Sequence, residues 1–225
     1  MDRFIANRIT IDLDAVRHNV RFLRSLLPVH TRFTAAVKAD AYGHGAVPVA
    51  RAVLEAGAWG LAVATAEEAA ELRDAGVEAP VLVMGPVYTE GQLVEMAGRD
   101  IEVSVVSPEM VRLLQKASKS LPALRIHIKL DTGMNRQGLL PGPEVEALMD
   151  VVRSAPSITM AGIMTHFACS SEEPDSVGWQ LERFRPGVER VRREWPQVPA
   201  HAANSAATMH HPESYFDMVR CGIAV

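Results

Sequence analysis

Cysteine, lysine and long apolar runs are all scarce in this chain of 225 residues. The two cysteines, Cys169 and Cys221, are too few for a disulfide framework and match no zinc-binding spacing, so we expect reduced thiols in a cytoplasmic protein. No apolar run approaches the roughly 18 residues of a membrane span, and the start of the sequence lacks the apolar core of a signal peptide. A net charge of −4 provides no basic face for nucleic acid. The sequence therefore predicts neither a nucleic-acid partner nor a membrane partner.

Lysine is the rare basic residue, with four copies against nineteen arginines. One of the four, Lys38, ends the apolar run Phe33–Val37, which is typical of a buried strand. Tyr42, His44 and two glycines follow before a helical pattern begins at Ala46. Burying a lysine is costly, so a lysine at this place either reaches out to solvent or is kept for its chemistry.

Short β-branched runs alternate with amphipathic segments along the chain, which predicts an α/β fold of parallel βαβ units. Two architectures fit this alternation, a closed (β/α)8 barrel of the TIM type and an open doubly wound sheet. No Gly-x-Gly-x-x-Gly follows the first strand, which favours the barrel. The predicted strands are Phe33–Val37, Gly60–Ala64, Val81–Met84, Ile101–Val106, Leu124–Leu130, Ile158–Thr165, Ala200–Ala203 and Val219–Val225.

Helices are predicted before and between these strands, after a short strand-like segment at Arg8–Leu13. They are Ala15–Leu27, Val47–Glu55, Ala66–Ala75, Glu90–Ala97, Glu109–Ala117, Glu144–Arg153 and a long helix from about Ser176 to Trp195. No helical pattern follows the eighth strand. We therefore expect the last helix of the barrel to be missing and the C-terminus to be cut.

Polar residues gather where the predicted strands end, which is where α/β barrels carry their chemistry. A helix beginning beside strand seven is also a common phosphate site, and a lysine near other cations can be neutral and nucleophilic. A lysine nucleophile together with a phosphate site is typical of pyridoxal-phosphate enzymes. The residues at this rim are Lys38, Tyr42, Lys129, Arg136, His166, Asn204, Ser205, Arg220 and Gly222.

Each rim residue also has a plainer structural interpretation. A strand-end lysine is usually solvated, Lys129 is able to pair with Asp131, and His166 fits a hydrogen-bonded core histidine. Asn204 equally fits the cap of a short helix at Ala206–His210. These residues therefore support a functional interpretation as a set rather than one by one.

Five motifs closely resemble the barrel domain of bacterial alanine racemases, and the resemblance runs from Ile11 to the last residue. The motifs are VKADAYGHG at 37–45, KLDTGMNR at 129–136, THFA at 165–168, ANSA at 203–206 and VRCGIA at 219–224, and the match itself begins with IDLDAVRHN at 11–19. Asn135 stands where this family often has glycine, and Cys221 where it usually has proline. The resemblance implies a single barrel domain over residues 1–225 that binds pyridoxal 5'-phosphate.

The resemblance also implies how this cofactor is held. Lys38 would carry the cofactor as a Schiff base and, once released, act as a base on the substrate Cα proton. Tyr42, Ser205 and the Gly222 amide would bind the phosphate, with Asn204 on the same side. Metal ligands are not expected.

Four further residues receive roles from the same resemblance. Arg136 would contact the cofactor's phenolic oxygen and the substrate carboxylate, and a carbamylated Lys129 would hold Arg136. His166 would lie beside the cofactor ring, bonded to Arg220, and Arg220 would face the pyridine nitrogen. Arginine gives up no proton at accessible pH, so that nitrogen would stay unprotonated, which favours return of a proton to Cα over transamination. The predicted catalytic residues are Lys38, Arg136 and His166.

The activity that the resemblance implies is interconversion of L- and D-alanine for peptidoglycan synthesis, by a cytoplasmic homodimer. The second base would be a tyrosine of a C-terminal β-domain of the partner subunit. That domain is absent from the sequence, so we expect the chain to be truncated and nearly inactive alone. The alternatives are a single-barrel pyridoxal-phosphate-binding protein without strong catalysis, a serine or broad-spectrum racemase, and a D-threonine-type aldolase.

Overall fold

The computed structural model describes residues 9–225, which form a closed barrel of eight parallel strands. The strands follow one another in chain order, and the last pairs with the first from Arg32 opposite Met218 to Ala35 opposite Cys221. This closure confirms the predicted TIM-type barrel and excludes an open sheet. The strands are β1 (Arg32–Ala36), β2 (Gly60–Val63), β3 (Val81–Val83), β4 (Glu102–Val105), β5 (Leu124–Lys129), β6 (Ile158–Met164), β7 (Ala200–His201) and β8 (Met218–Cys221).

Helical segments surround the barrel, and all except the one at Lys38–Gly43, which was not predicted, lie close to their predicted positions. They are α1 (Leu13–Ser25), α2 (Lys38–Gly43), α3 (Ala46–Glu55), α4 (Ala66–Asp74), α5 (Glu90–Gly98), α6 (Pro108–Ala117), α7 (Pro143–Ser154), α8 (Pro174–Arg192) and α9 (Ser205–His210). A short 3-10 turn at Pro212–Ser214 precedes β8. In residues 9–225, none of the helices combines the length and the apolar character that crossing a bilayer requires.

The N-terminal segment differs from its prediction. Arg8 lies outside the described residues, and residues 9–12 have no regular structure instead of the predicted strand. The reason is the side chain of Asp12, which accepts hydrogen bonds from the backbone N–H groups of Asp14 and Ala15. This cap starts a helix at Leu13, two residues earlier than predicted.

Apolar side chains form a large layer between the strands and the helices and a small group on the other face of the strands. The small group comprises Ala36, Ala62, Leu82 and Met164. Because successive strand residues point to opposite faces, this group lies inside the barrel. The carboxyl ends of the strands meet at one rim, where the candidate site lies.

Candidate active site

A cavity of about 420 Å³ opens at the carboxyl ends of the strands. Seven of the nine residues predicted for the site line it: Lys38, Tyr42, His166, Asn204, Ser205, Arg220 and Gly222. Arg136 instead lines a neighbouring cleft, where it is exposed, and Lys129 is buried on β5. Closure of the barrel thus brings together side chains from β1 and from the ends of β6, β7 and β8, which are far apart in sequence.

The turn that carries Lys38 has a backbone conformation that the sequence did not predict. Residues Ala39–Tyr42 form a left-handed helical turn, with φ between 51° and 57°. Such a conformation costs an L-residue roughly 1–2 kcal/mol. The side chain of Glu68 opposes this cost by accepting hydrogen bonds from the backbone N–H groups of Ala39 at 2.7 Å and Ala64 at 2.7 Å. The turn directs the chain away from the barrel directly after Lys38 and leaves that residue at the mouth.

The wall next to this turn is a polar cradle formed by Ser205, Gly222 and Tyr42. The Gly222 N–H donates to the Ser205 hydroxyl at 3.0 Å. A Cβ added at Gly222 would overlap the Tyr42 hydroxyl, so the absence of a side chain lets these groups meet. Asn204 stabilises this wall by capping α9, accepting a hydrogen bond from the backbone N–H of Ala207 at 3.0 Å. The cradle therefore presents hydroxyl and N–H groups, which suit an anion such as phosphate.

Lys129 is a buried cation among other cations. Burial, followed by the charges of Arg136 and Arg220, lowers the pKa of Lys129 to about 8. Its ammonium donates to the Gln137 side chain at 3.4 Å. The Asp131 carboxylate, the alternative partner, instead accepts hydrogen bonds from backbone N–H groups in its own loop. A substantial fraction of Lys129 is therefore a neutral amine near pH 8.

His166 and Arg220 share the cavity but not the hydrogen bond that was expected between them. No such bond occurs in the part of the chain that the structure describes, because the donors of Arg220 are engaged elsewhere. They reach His201 Nδ1 at 2.8 Å, the Thr165 carbonyl at 2.7 Å and the Ala202 carbonyl at 3.3 Å. Burial and then the charge of Arg220 lower the pKa of His166 to about 3, so its imidazole is neutral at pH 7. Burial lowers the pKa of Arg220 to about 10, so Arg220 remains a cation at that pH.

A family model described as the N-terminal domain of alanine racemase matches residues 11–225. The chain belongs to this family. Alanine racemase of Nostoc sp. is 37% identical over 222 residues, which cover 96% of this chain and 57% of that protein. Alanine racemase 1 of Oceanobacillus iheyensis is 41% identical over 222 residues, covering 96% of this chain and 58% of its own length.

Solved structures of alanine racemases share the barrel. The enzyme of Bacillus anthracis with bound L-Ala-P superposes with a TM-score of 0.87 at 36% identity, covering 95% of this chain and 55% of that one. The enzyme of Streptomyces lavendulae gives a TM-score of 0.85 at 39% identity, covering 95% and 57%. The chain therefore spans a little over half the length of the alanine racemases that it matches.

Sequence reasoning missed three residues of this alanine racemase domain that contact the site residues. Gln137 accepts from Lys129, His201 accepts from Arg220, and Glu68 holds the turn after Lys38. Thr65 with Glu68 three residues later is a capping-box pattern, and the structure contains that box, but the pattern gave no sign that Glu68 also reaches Ala39. A histidine inside the short apolar strand 200–203 was a signal for His201, since a buried polar group needs a partner.

Proposed function

We propose that this chain is the pyridoxal-5'-phosphate-binding barrel of an enzyme that interconverts L-alanine and D-alanine. The observation that carries the proposal is one cavity that combines the Lys38 amine, an anion cradle and the Arg220 guanidinium. Relatives named alanine racemase, matching 96% of the chain, support the choice of substrate. A homodimer and a cytoplasmic location stay predictions.

The residues present fit the proposed cofactor. Gly222 lacks the side chain that would crowd the Tyr42 hydroxyl, and Ser205 and the Gly222 N–H lie within 3.0 Å of each other at the same wall. These groups would hold the phosphate, Lys38 the aldehyde carbon, and Arg220 the ring nitrogen. When bound, the cofactor supplies an electron-withdrawing ring that makes the Cα proton of an attached amino acid acidic.

Two residues of the chain then handle protons in opposite ways. The free Lys38 amine would accept a proton from Cα on its own face in one direction of the reaction and, as the ammonium, donate a proton to that face in the other direction. Arg220 keeps its protons at neutral pH, so it holds a ring nitrogen by hydrogen bonding without protonating it. Neutral His166 donates no proton at that pH and packs beside the other groups without adding a further charge.

We further propose that Lys129 is carbamylated. Its neutral amine attacks carbon dioxide, forming an N–C bond and releasing one proton, and the product is a carbamate anion within reach of the Arg136 charge. Because the reacting form is the neutral amine, carbamylation should increase as the pH rises through about 8. Carbon-13 NMR with labelled bicarbonate should show a carbamate signal that Lys129→Met removes. A signal retained in that variant contradicts the assignment.

The central test is the visible absorption spectrum of the chain with added pyridoxal phosphate. The wild type and Lys116→Ala should give the same protein-bound band, because Lys116 is an exposed lysine paired with Glu90 on the surface. Lys38→Ala should lack that band. Identical spectra for the wild type and Lys38→Ala would remove Lys38 from the site.

A second measurement addresses catalysis. Racemisation needs a proton donor on each face of Cα, and we retain the prediction that the second one is a tyrosine outside residues 1–225. The chain alone should therefore convert L-alanine to D-alanine very slowly even when it binds the cofactor. Rapid conversion, followed by chiral chromatography, would show that these residues contain both bases.

A further inference from the structure

Four buried or nearly buried polar side chains cross the interior of the barrel below the cavity. Arg220 Nη1 lies 2.8 Å from His201 Nδ1, His201 Nε2 lies 2.8 Å from His127 Nδ1, and His127 Nε2 lies 2.8 Å from Glu102 Oε2. We call this series the interior relay. Glu102 is the first residue of β4, so the relay runs from the cavity to the opposite end of the barrel.

The chemistry of Arg220 and Glu102, the two ends of the interior relay, determines which atom carries each proton between them. Arginine has donors only, and an ionised carboxylate has acceptors only. Arg220 must therefore donate to His201, His201 to His127, and His127 to Glu102. Each imidazole then carries its proton on Nε2 and accepts on Nδ1, and a second proton on either ring would place two donors face to face.

The pKa shifts of Glu102 and His201 agree with this direction of donation. Burial raises the pKa of Glu102, but hydrogen bonds from His127 and Arg125 outweigh it and lower that pKa, so the carboxylate is ionised. Burial and then the charge of Arg220 lower the pKa of His201 well below its usual value, so that ring is neutral.

Gly162 makes room for the interior relay. A Cβ added at Gly162 on β6 would overlap the ring of His127. The pairing of β5 with β6 also shifts register between Ile126 and His127. The barrel wall is thus adapted locally to one buried imidazole, at a place where an apolar side chain would fill the interior more simply.

We propose that Glu102 and His127 are positioning residues for Arg220. By holding His127 as an acceptor at Nδ1, Glu102 forces His201 to present its own unprotonated Nδ1 to the guanidinium. Without Glu102, only the donors of Arg220 favour this tautomer of His201, and whenever His201 adopts the other tautomer its Nδ1 proton would face those donors and displace them. The consequence for cofactor binding rests on the proposed function, whereas the placement of Arg220 does not.

The first test needs no cofactor. Nitrogen-15 NMR of the wild-type chain should show His127 and His201 as neutral rings protonated on Nε2, assigned by comparison with single-site variants. The guanidinium protons of Arg220 should exchange slowly with water. An imidazolium, or an Nδ1-protonated ring, at either position in the wild type would overturn the proposal.

Variants at Glu102 separate positioning from simple packing. Glu102→Gln keeps one oxygen that accepts from His127 and loses the one that accepts from Arg125, whose side chain is 39% exposed and can turn to solvent. This variant should therefore leave the tautomers and the Arg220 exchange close to wild type. Glu102→Leu removes the acceptor and should speed that exchange by about tenfold, the equivalent of one lost buried hydrogen bond. If Glu102→Leu does not fold, Gly162→Ala perturbs His127 without altering either end of the interior relay and should speed the exchange in the same direction. Unchanged exchange in the folded variants would overturn the proposal.

A matched control lies on the same strand. Ser104 is buried two residues after Glu102, and its hydroxyl contacts the Met164 sulfur at 3.4 Å, outside the interior relay. Ser104→Ala should therefore leave the Arg220 exchange unchanged. An equal effect of Ser104→Ala and Glu102→Leu would assign the change to general packing and overturn the positioning role.

The same variants also test the consequence for cofactor binding. With pyridoxal phosphate, Glu102→Leu should shift the protein-bound absorption band and weaken binding by about tenfold relative to Glu102→Gln, since the ring nitrogen loses a fixed partner. If the wild type binds no pyridoxal phosphate, the proposed function fails while the NMR result still decides the positioning role. If Arg220 becomes mobile but the band does not change, Arg220 does not contact the cofactor ring and the extension to binding is wrong.

Discussion

The turn after β1 and the cradle segment between β7 and β8 build adjoining walls of one cavity in different ways. In the turn, four consecutive L-residues at Ala39–Tyr42 adopt left-handed angles. In the cradle, Asn204 caps a right-handed helix, and no residue of segment 204–210 has a positive φ. The strained segment directly follows the reactive lysine and contributes Tyr42 to the proposed phosphate site, whereas the relaxed one contributes Asn204 and Ser205.

The difference suggests that the two walls owe their shapes to different forces. The cradle follows local preferences, because a side-chain cap and a right-handed helix are favourable on their own. The turn needs contacts from elsewhere in the chain. Glu68 supplies one from α4, while Asp40 of the turn itself adds a local bond by accepting from the Ala46 N–H at 2.6 Å. The turn should therefore be the more sensitive of the two to loss of a distant side chain.

The largest expected effect is on the turn, from Glu68→Ala. This change leaves the N–H groups of Ala39 and Ala64 without their carboxylate acceptor, and it should lower the free energy of unfolding by about 1–3 kcal/mol. Glu67→Ala, at the exposed neighbour on the same helix, is the control and should change stability by less than about 0.5 kcal/mol. Denaturant unfolding measures both, and equal losses would show that Glu68 does not hold the turn.

The next largest effect, on affinity for pyridoxal phosphate, is expected from Gly222→Ala, where the two walls meet. The new methyl group would overlap the Tyr42 hydroxyl and push that ring out of the cradle. Because Tyr42 is 37% exposed and free to move, stability should change little. Affinity for pyridoxal phosphate, measured by absorption titration, should fall about tenfold, as expected for one lost hydrogen bond to a charged group. In a Tyr42→Ala background the same substitution should have no additional effect, and a persisting loss contradicts the proposed contact.

The smallest effects are expected from two alanine-to-glycine substitutions, which should change the free energy of unfolding in opposite directions. Ala39→Gly removes a Cβ from a left-handed position and should raise the free energy of unfolding by up to about 1 kcal/mol, because relief of strain exceeds the entropy cost of glycine. Ala206→Gly, in the right-handed α9, should lower it by up to about 1 kcal/mol. Thermal and denaturant unfolding measure the pair. Effects of the same sign would show that the turn stores no strain.

The sequence predicted the barrel and the site residues better than their contacts. All eight strands were predicted because a short apolar run between helical patterns is a local signal. Seven predicted residues do line one cavity, since parallel strands place their carboxyl ends at one rim. The predicted bond between His166 and Arg220 was wrong, because the partner of Arg220 is His201.

Asn135 and the turn after Lys38 differ in whether the sequence predicts their left-handed backbone. Asn135 stands where the family often has glycine and adopts a φ of 54°, so its conformation was open to prediction from the sequence. Ala39 and Ala41 adopt similar angles, yet alanine favours right-handed structure and its presence gave no warning.

Local patterns were enough to predict the order of strands and helices and the residue types at the rim, because hydrophobic period and capping act over a few residues. The left-handed turn and the interior relay depend instead on side chains that are distant in the chain. Glu68 reaches Ala39 across 29 positions, and His201 reaches His127 across 74. Such contacts exist only after the barrel closes, when the buried imidazoles must find partners within the same interior.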